Sequence, residues 1–157
     1  MRIHLLAVGQ KMPRWVEEGY REYAARLRGE IKLELVEIRA ARRTRNSAVA
    51  RLMEEEGERL LAAIPARAHV VALDVQGRAE STERLASRME DWMRSGNDVV
   101  LLIGGPDGLS PAALQRADTK LSLSPLTFPH PLVRILVAEQ LYRAYSVLRG
   151  HPYHRAD

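Results

Sequence analysis

Apolar and polar positions alternate in blocks whose period changes along the chain. Residues 2–8 are almost continuously apolar (Ile3, Leu5, Leu6, Ala7, Val8) and predict a first strand. After Pro13, Val16, Tyr20, Tyr23 and Leu27 recur at helical spacing. From Ile31 to Ile38, Ile31, Leu33 and Leu35 alternate with Lys32 and Glu34, the pattern of a half-buried strand. Ser47 is expected to cap a helix running to about Ile64, with Leu52, Met53, Leu60 and Leu61 facing inward and Pro65 past its end. Ala68–Val75 reads as a third strand. Ser81 or Thr82 opens a helix carrying Leu85, Met89 and Trp92 that stops near Gly96. Val99–Ile103 is a fourth strand, Ser110-Pro111 starts a short helix, and Thr119–Leu123 is a short fifth strand. Pro131–Arg149 is a long helix ended by Gly150, with Leu132, Leu136 and Tyr142 expected in the core or a dimer seam.

Strands separated by helices predict a mainly parallel sheet with helices on both faces, an α/β fold in a single domain over residues 1–157. In such sheets ligands bind beyond the carboxyl ends of the strands. Gly104-Gly105 lies at one such end and Leu73-Asp74 at another. Between them, a glycine loop (Gly104-Gly105-Pro106-Asp107-Gly108) and a turn-rich loop (Leu121 to Pro131) predict a pocket built largely from main chain.

Composition narrows the chemistry. Cysteine is absent, which removes disulfides, thiolate metal sites and a thiol nucleophile, and suits the cytosol. No apolar run is long enough for a membrane span, and the first residues read as a strand rather than a signal peptide. The net charge of +4 permits a polyanionic partner. Residues 1–46 hold eleven Lys/Arg against six Asp/Glu, and Arg39, Arg42, Arg43 and Arg45 lie close together. This cluster reads either as a grip on nucleic-acid phosphates or as a solvated loop.

The glycine loop lacks the Gly-Lys pair of a P-loop and the spacing of a dinucleotide fingerprint, and Pro106 stiffens it. A hydrolase elbow is also missing. From residue 100 onward the only carboxylates are Asp107, Asp118, Glu139 and Asp157, too few for paired-carboxylate chemistry. Asp107 is expected to bond turn amides and Glu139 to pair with Arg143. The end, His151-Pro152-Tyr153-His154-Arg155, lacks the partners of a metal site. It reads as either a loose tail or a group able to stack on and bond a base.

Several of these stretches together resemble one family. Leu101 to Ser110, Leu121 to Arg134, Tyr142-Arg143-Ala144, the terminal His151 to Arg155, and Ala7-Val8-Gly9 with Lys11-Met12-Pro13 are similar to the RlmH family of SPOUT methyltransferases. The resemblance covers essentially the whole chain. It implies a C-terminal trefoil knot, a homodimer and S-adenosylmethionine as cofactor. It implies methylation of N3 of a pseudouridine in 23S rRNA, with the assembled ribosome as substrate; composition and spacing lead us to expect no metal and no membrane partner. The family's cofactor site falls on Leu73, Gly104, Leu123, Ser124, Pro125, Leu126, Thr127 and Phe128, with Pro125 and Phe128 acting through backbone. The cleft is expected to be poor in carboxylates, which suits a cationic donor that loses its charge. On the substrate side, His154, Tyr153 or a nearby water is expected to accept the N3 proton, with Arg155 or Arg134 stabilising the anion, across the dimer interface. Arg42, Arg43, Arg45, His130 and Arg143 are the expected RNA contacts. Two other readings stay open: a SPOUT enzyme with another RNA target, and a ribosome-binding factor without turnover.

Overall fold

The computed structural model describes residues 1–155. Five strands form one sheet: β1 (Arg2–Val8), β2 (Lys32–Ile38), β3 (His69–Ala79), β4 (Val99–Ile103) and β5 (Thr119–Ser122). Their order is β2-β1-β4-β3-β5, and every pairing is parallel. The helices are α1 (Arg14–Ala24), α2 (Val49–Ala62), α3 (Thr82–Ser95), α4 (Pro111–Arg116) and α5 (His130–Leu148), followed by a single 3-10 turn at Pro152–Arg155.

The strand period of two separates the core into two layers. Ile3, Leu5, Ala7, Leu101 and Ile103 point to the side covered by α3 and α5, against Met89, Trp92, Val137 and Leu141. Leu6, Val8, Val100 and Leu102 point to the other side, against Leu60 of α2 and Ala113 of α4. Hence β4, central and covered twice, has no polar residue and no exposed one.

Local chemistry sets the helix ends. Ser81 and Ser110 cap α3 and α4, their hydroxyls accepting from the amides of Arg84 and Ala113. Gly96 closes α3 in the left-handed region at φ 73°. Ser47 does not cap α2, contrary to the sequence expectation. The residue before that helix is Ala48, and the Ser47 hydroxyl instead accepts from the amide of Thr44, closing a local turn. Along α5 the buried positions are Arg134, Val137, Ala138, Leu141, Ala144 and Ser146. Leu132, Leu136 and Tyr142, expected in the core or a dimer seam, are half-buried in the single chain, so the core stripe is carried by other positions.

β3 is longer than expected. Its pairing with β5 is interrupted: Leu73 and Arg78 both register with Leu121. Residues 74–77 therefore bulge out of the sheet. Gly77 makes this possible, since a Cβ there would lie 2.8 Å from the Lys120 carbonyl carbon.

Candidate functional site

Three segments leave the carboxyl ends of β3, β4 and β5 and enclose a cleft of about 740 Å³. They are the bulge after Leu73, the glycine loop 104–108, and the loop 122–130 before α5. The position is the one where parallel sheets hold ligands. Of the residues expected to hold the cofactor, Leu73, Gly104, Leu123, Ser124, Leu126, Thr127 and Phe128 line the cleft. Pro125 does not.

Each wall has a physical basis. At Gly104 a Cβ would lie 2.4 Å from the Gly108 carbonyl carbon, so the loop can fold over itself only without a side chain. Gly108 stands at φ 88°, and its amide donates to Gly105 O at 3.0 Å. The second loop is shaped by its own serines. Ser122 Oγ donates to Ser124 O at 2.9 Å, and Leu126 N donates to Ser124 Oγ at 3.0 Å. Five large apolar side chains are exposed among the described residues, and two of them, Val75 and Leu126, stand at this cleft. Exposed aliphatic groups around a concavity mark a surface made to be covered.

The cleft is not free of carboxylates, which corrects the sequence expectation. The β3 bulge places Asp74 on its wall, and Asp107 lies on the glycine loop. In the sequence Asp74 stands out only as a strand end. The bulge that turns it into the cleft depends on a register shift that no local pattern announces. Asp107 does not satisfy turn amides either. It accepts from Arg43 Nη2 at 2.9 Å and Nε at 3.2 Å.

Arg43 also differs from its expected role. Its guanidinium donates to Glu56 Oε2 at 2.8 Å as well as to Asp107, and Glu56 is 2% exposed. Both carboxylates hold the Arg43 charge in place, Glu56 more strongly. Arg43 therefore bridges two carboxylates at the surface, with its side chain still 30% exposed. Arg42 and Arg45 are exposed on the same segment.

Arg134 does not face the substrate side. It is 1% exposed, donating to Glu37 Oε2 at 2.6 Å and to Gly9 O at 2.7 Å. It fixes the end of β1 against α5. His130, the first residue of α5, lines the cleft, and its buried Nδ1 has no partner within the protein. Burial, and then the Arg134 charge, push its imidazole below the ordinary range, so it is neutral at pH 7. Tyr20 lies near the same arginine, and burial pushes its phenol up to about 12.

The terminal residues form a second cluster. Gly150, at φ 67°, turns the chain back along α5, and His151 N donates to Ser146 O at 2.9 Å. Tyr153 packs on Tyr142 with ring centroids 4.6 Å apart. Arg26 lies over Tyr23, Tyr142 and Tyr153, and Arg143 over Tyr153. Glu139 accepts from Arg143 Nη2 at 2.6 Å, the expected pair, and from the Tyr153 hydroxyl at 3.1 Å. Burial and Glu139 both raise the Tyr153 phenol. In this structure its hydroxyl acts as a donor, to Glu139. His154 is half-buried, with Nδ1 3.5 Å from Ser146 Oγ, and Arg155 is exposed.

These two clusters lie apart within one chain. Tyr153 meets α5 at Glu139, nine residues past His130, or about 14 Å along the axis. His154 meets it at Ser146, about 24 Å along.

The comparisons agree with this architecture. A family model described as "Predicted SPOUT methyltransferase" matches residues 1–154. The chain is 59% identical over 155 residues to the ribosomal RNA large subunit methyltransferase H of Thioalkalivibrio sulfidiphilus, covering 99% of each chain. It is 58% identical to the protein of that name from Alkalilimnicola ehrlichii, over 99% of this chain and 100% of that one. Its fold is similar to a probable methylase family protein from Haemophilus influenzae, with a TM-score of 0.58 at 10% identity, over 96% of this chain and 69% of that one. Fold, cleft and full-length similarity agree: this chain belongs to the RlmH family of SPOUT methyltransferases.

Proposed function

We propose that this protein uses S-adenosylmethionine to methylate large-subunit ribosomal RNA, at N3 of a pseudouridine, with the assembled ribosome as substrate. The observation that carries the reading is the cleft at the ends of β3, β4 and β5, where Gly104 removes side-chain bulk and Leu73, Leu123 and Leu126 offer apolar faces. Its volume is in the range of pockets that bury a small molecule. The curated relatives named above carry the ribosomal RNA assignment.

The residues present suit that cofactor. Leu73, Leu123 and Leu126 can cover the two faces of a purine, and the peptide groups of 123–128 can bond its edge. Asp74 supplies a negative charge for a cationic amino-acid moiety. Bound S-adenosylmethionine supplies an electrophilic methyl group. The protein must then hold the RNA base in line with that group and exclude competing water, an orientation effect worth several kcal/mol.

The base must also lose its N3 proton. With Tyr153 a donor and Arg134 sealed inside, His154 or a water is left to take the proton, and Arg155 to steady the anion. His154 meets α5 too far along to serve the cleft of its own chain, and Arg155 follows it directly in the sequence. We therefore read the working form as a homodimer in which one copy's tail completes the other copy's cleft. The trefoil knot in the C-terminal part belongs to the same reading.

The test combines binding and transfer. S-adenosylmethionine at a hundred times its Kd should raise stability by about 2.7 kcal/mol in a thermal melt. Methyl-labelled donor should then mark 23S rRNA in whole ribosomes, with nucleoside mass spectrometry finding N3-methylpseudouridine. Label on a different nucleoside would favour another RNA target. Binding to ribosomes with a flat melt and no label would favour a non-catalytic factor.

A further inference from the structure

The glycine loop is held from outside as well as by its own turn. At its far end, Ser110 sits tightly on α2, where a Cβ on Gly57 would lie 2.2 Å from Ser110 Oγ. In its middle, Gly105 packs on the buried Glu56 carboxylate: a Cβ there would lie 3.2 Å from Glu56 Oε1. Glu56 accepts from Arg43 Nη1 at 2.8 Å, Arg43 Nη2 at 3.3 Å and Ala41 N at 3.0 Å. The other edge of the same guanidinium reaches Asp107. A planar fork with five donors can serve two carboxylates and keep both in register. An ammonium cannot.

Arg43 thus stands between two surfaces. On one side is the loop that lines the donor cleft. On the other is the segment 39–46, which carries Arg42 and Arg45 outward and is tied to α2 again where Arg59 Nη1 donates to Arg39 O at 2.9 Å.

We propose that Arg43 is a positioning residue: by joining Glu56 to Asp107 it fixes the glycine loop in its donor-binding shape and links RNA engagement at Arg42 and Arg45 to donor affinity. The inference rests on the function proposed above. By reciprocity, bound donor tightens RNA binding as much as bound RNA tightens donor binding.

The experiment uses full-length protein carrying Asp107→Asn, Arg43→Lys or both. Asp107→Asn keeps the Arg43–Glu56 pair, so the buried carboxylate stays compensated and the chain folds. Calorimetry with S-adenosylmethionine should show Kd about tenfold weaker in each single variant, and the double variant little worse than either. In steady state the KM for the donor should rise while kcat at saturating donor falls by less than about threefold, a split that general destabilisation would not give. S-adenosylhomocysteine should tighten ribosome pelleting of wild type and not of Asp107→Asn. Unchanged donor Kd in folded Asp107→Asn overturns the positioning role, and equal tightening in both proteins overturns the linkage. If wild type binds no donor at all, the functional reading itself has failed, and this inference with it.

Discussion

The cleft and the tail are built on opposite principles. The cleft is made of main chain at the ends of three adjacent parallel strands, with glycines and serine turns setting its shape. It is complete within one chain. The tail is made of side chains, Tyr153 and His154 with Tyr142, Arg26, Arg143 and Glu139, packed toward the other end of α5. It offers donors, rings and charge. A main-chain cleft suits a ligand of fixed form, whereas a cluster of aromatic and cationic side chains suits an RNA base brought to it. The separation along α5 is what the proposed homodimer answers, with one copy's tail brought to the other copy's cleft.

The comparison breaks most sharply if the tail is removed. Truncation after Gly150 should leave S-adenosylmethionine binding intact by calorimetry and lower methyl transfer by at least about a hundredfold. Next in size is Gly104→Ala. A Cβ 2.4 Å from the Gly108 carbonyl carbon forces the loop open, so donor binding should be lost and stability should fall by about 2–4 kcal/mol in urea melts. Activity in both variants close to that of wild type would dissolve the distinction.

A smaller effect concerns the basic segment. Arg42→Ala with Arg45→Ala should weaken ribosome binding and lower its salt slope by about 1–2. Donor binding to the free protein should hold. The smallest concerns pH. Because burial and Arg134 hold His130 below the ordinary imidazole range, the unfolded chain binds a proton near pH 6.5 that the folded chain refuses. Its contribution to stability is present above that pH and is lost as pH falls toward the folded value. His130→Asn should flatten the fall in the urea midpoint between pH 7.5 and 5.5. An unchanged profile would mean that His130 is open to solvent.

The elements were legible in the sequence because parallel strands buried on both faces are written as unbroken apolar runs, as in Val99–Ile103. The cleft was legible for a related reason: Gly104 and Gly105 follow such a run directly. The features that sequence did not disclose depend on long-range pairing. Glu56 looks like one more charge on the polar face of α2 until Arg43, thirteen residues earlier, folds onto it. Arg43 reads as one member of a basic cluster for the same reason. Arg134 opens a helix beside a pocket loop, and only its contacts with Glu37 and Gly9 show that it is sealed inside. The β3 bulge, which delivers Asp74 to the cleft, rests on Gly77 meeting β5. Charged residues take their roles from partners, and partners distant in sequence leave no local pattern.

The shared site can be tested by mixing two defective chains. Thr127→Trp, on the rim of the cleft, blocks donor entry and keeps the tail, whereas the chain cut after Gly150 keeps the cleft and lacks the tail. Neither alone should transfer methyl groups. Unfolded together and refolded, random pairing into two-fold dimers should restore transfer to about a quarter of the wild-type level. If the mixture stays as inactive as its parts, while both chains fold and the truncated one binds S-adenosylmethionine, the tail does not complete a neighbour's cleft.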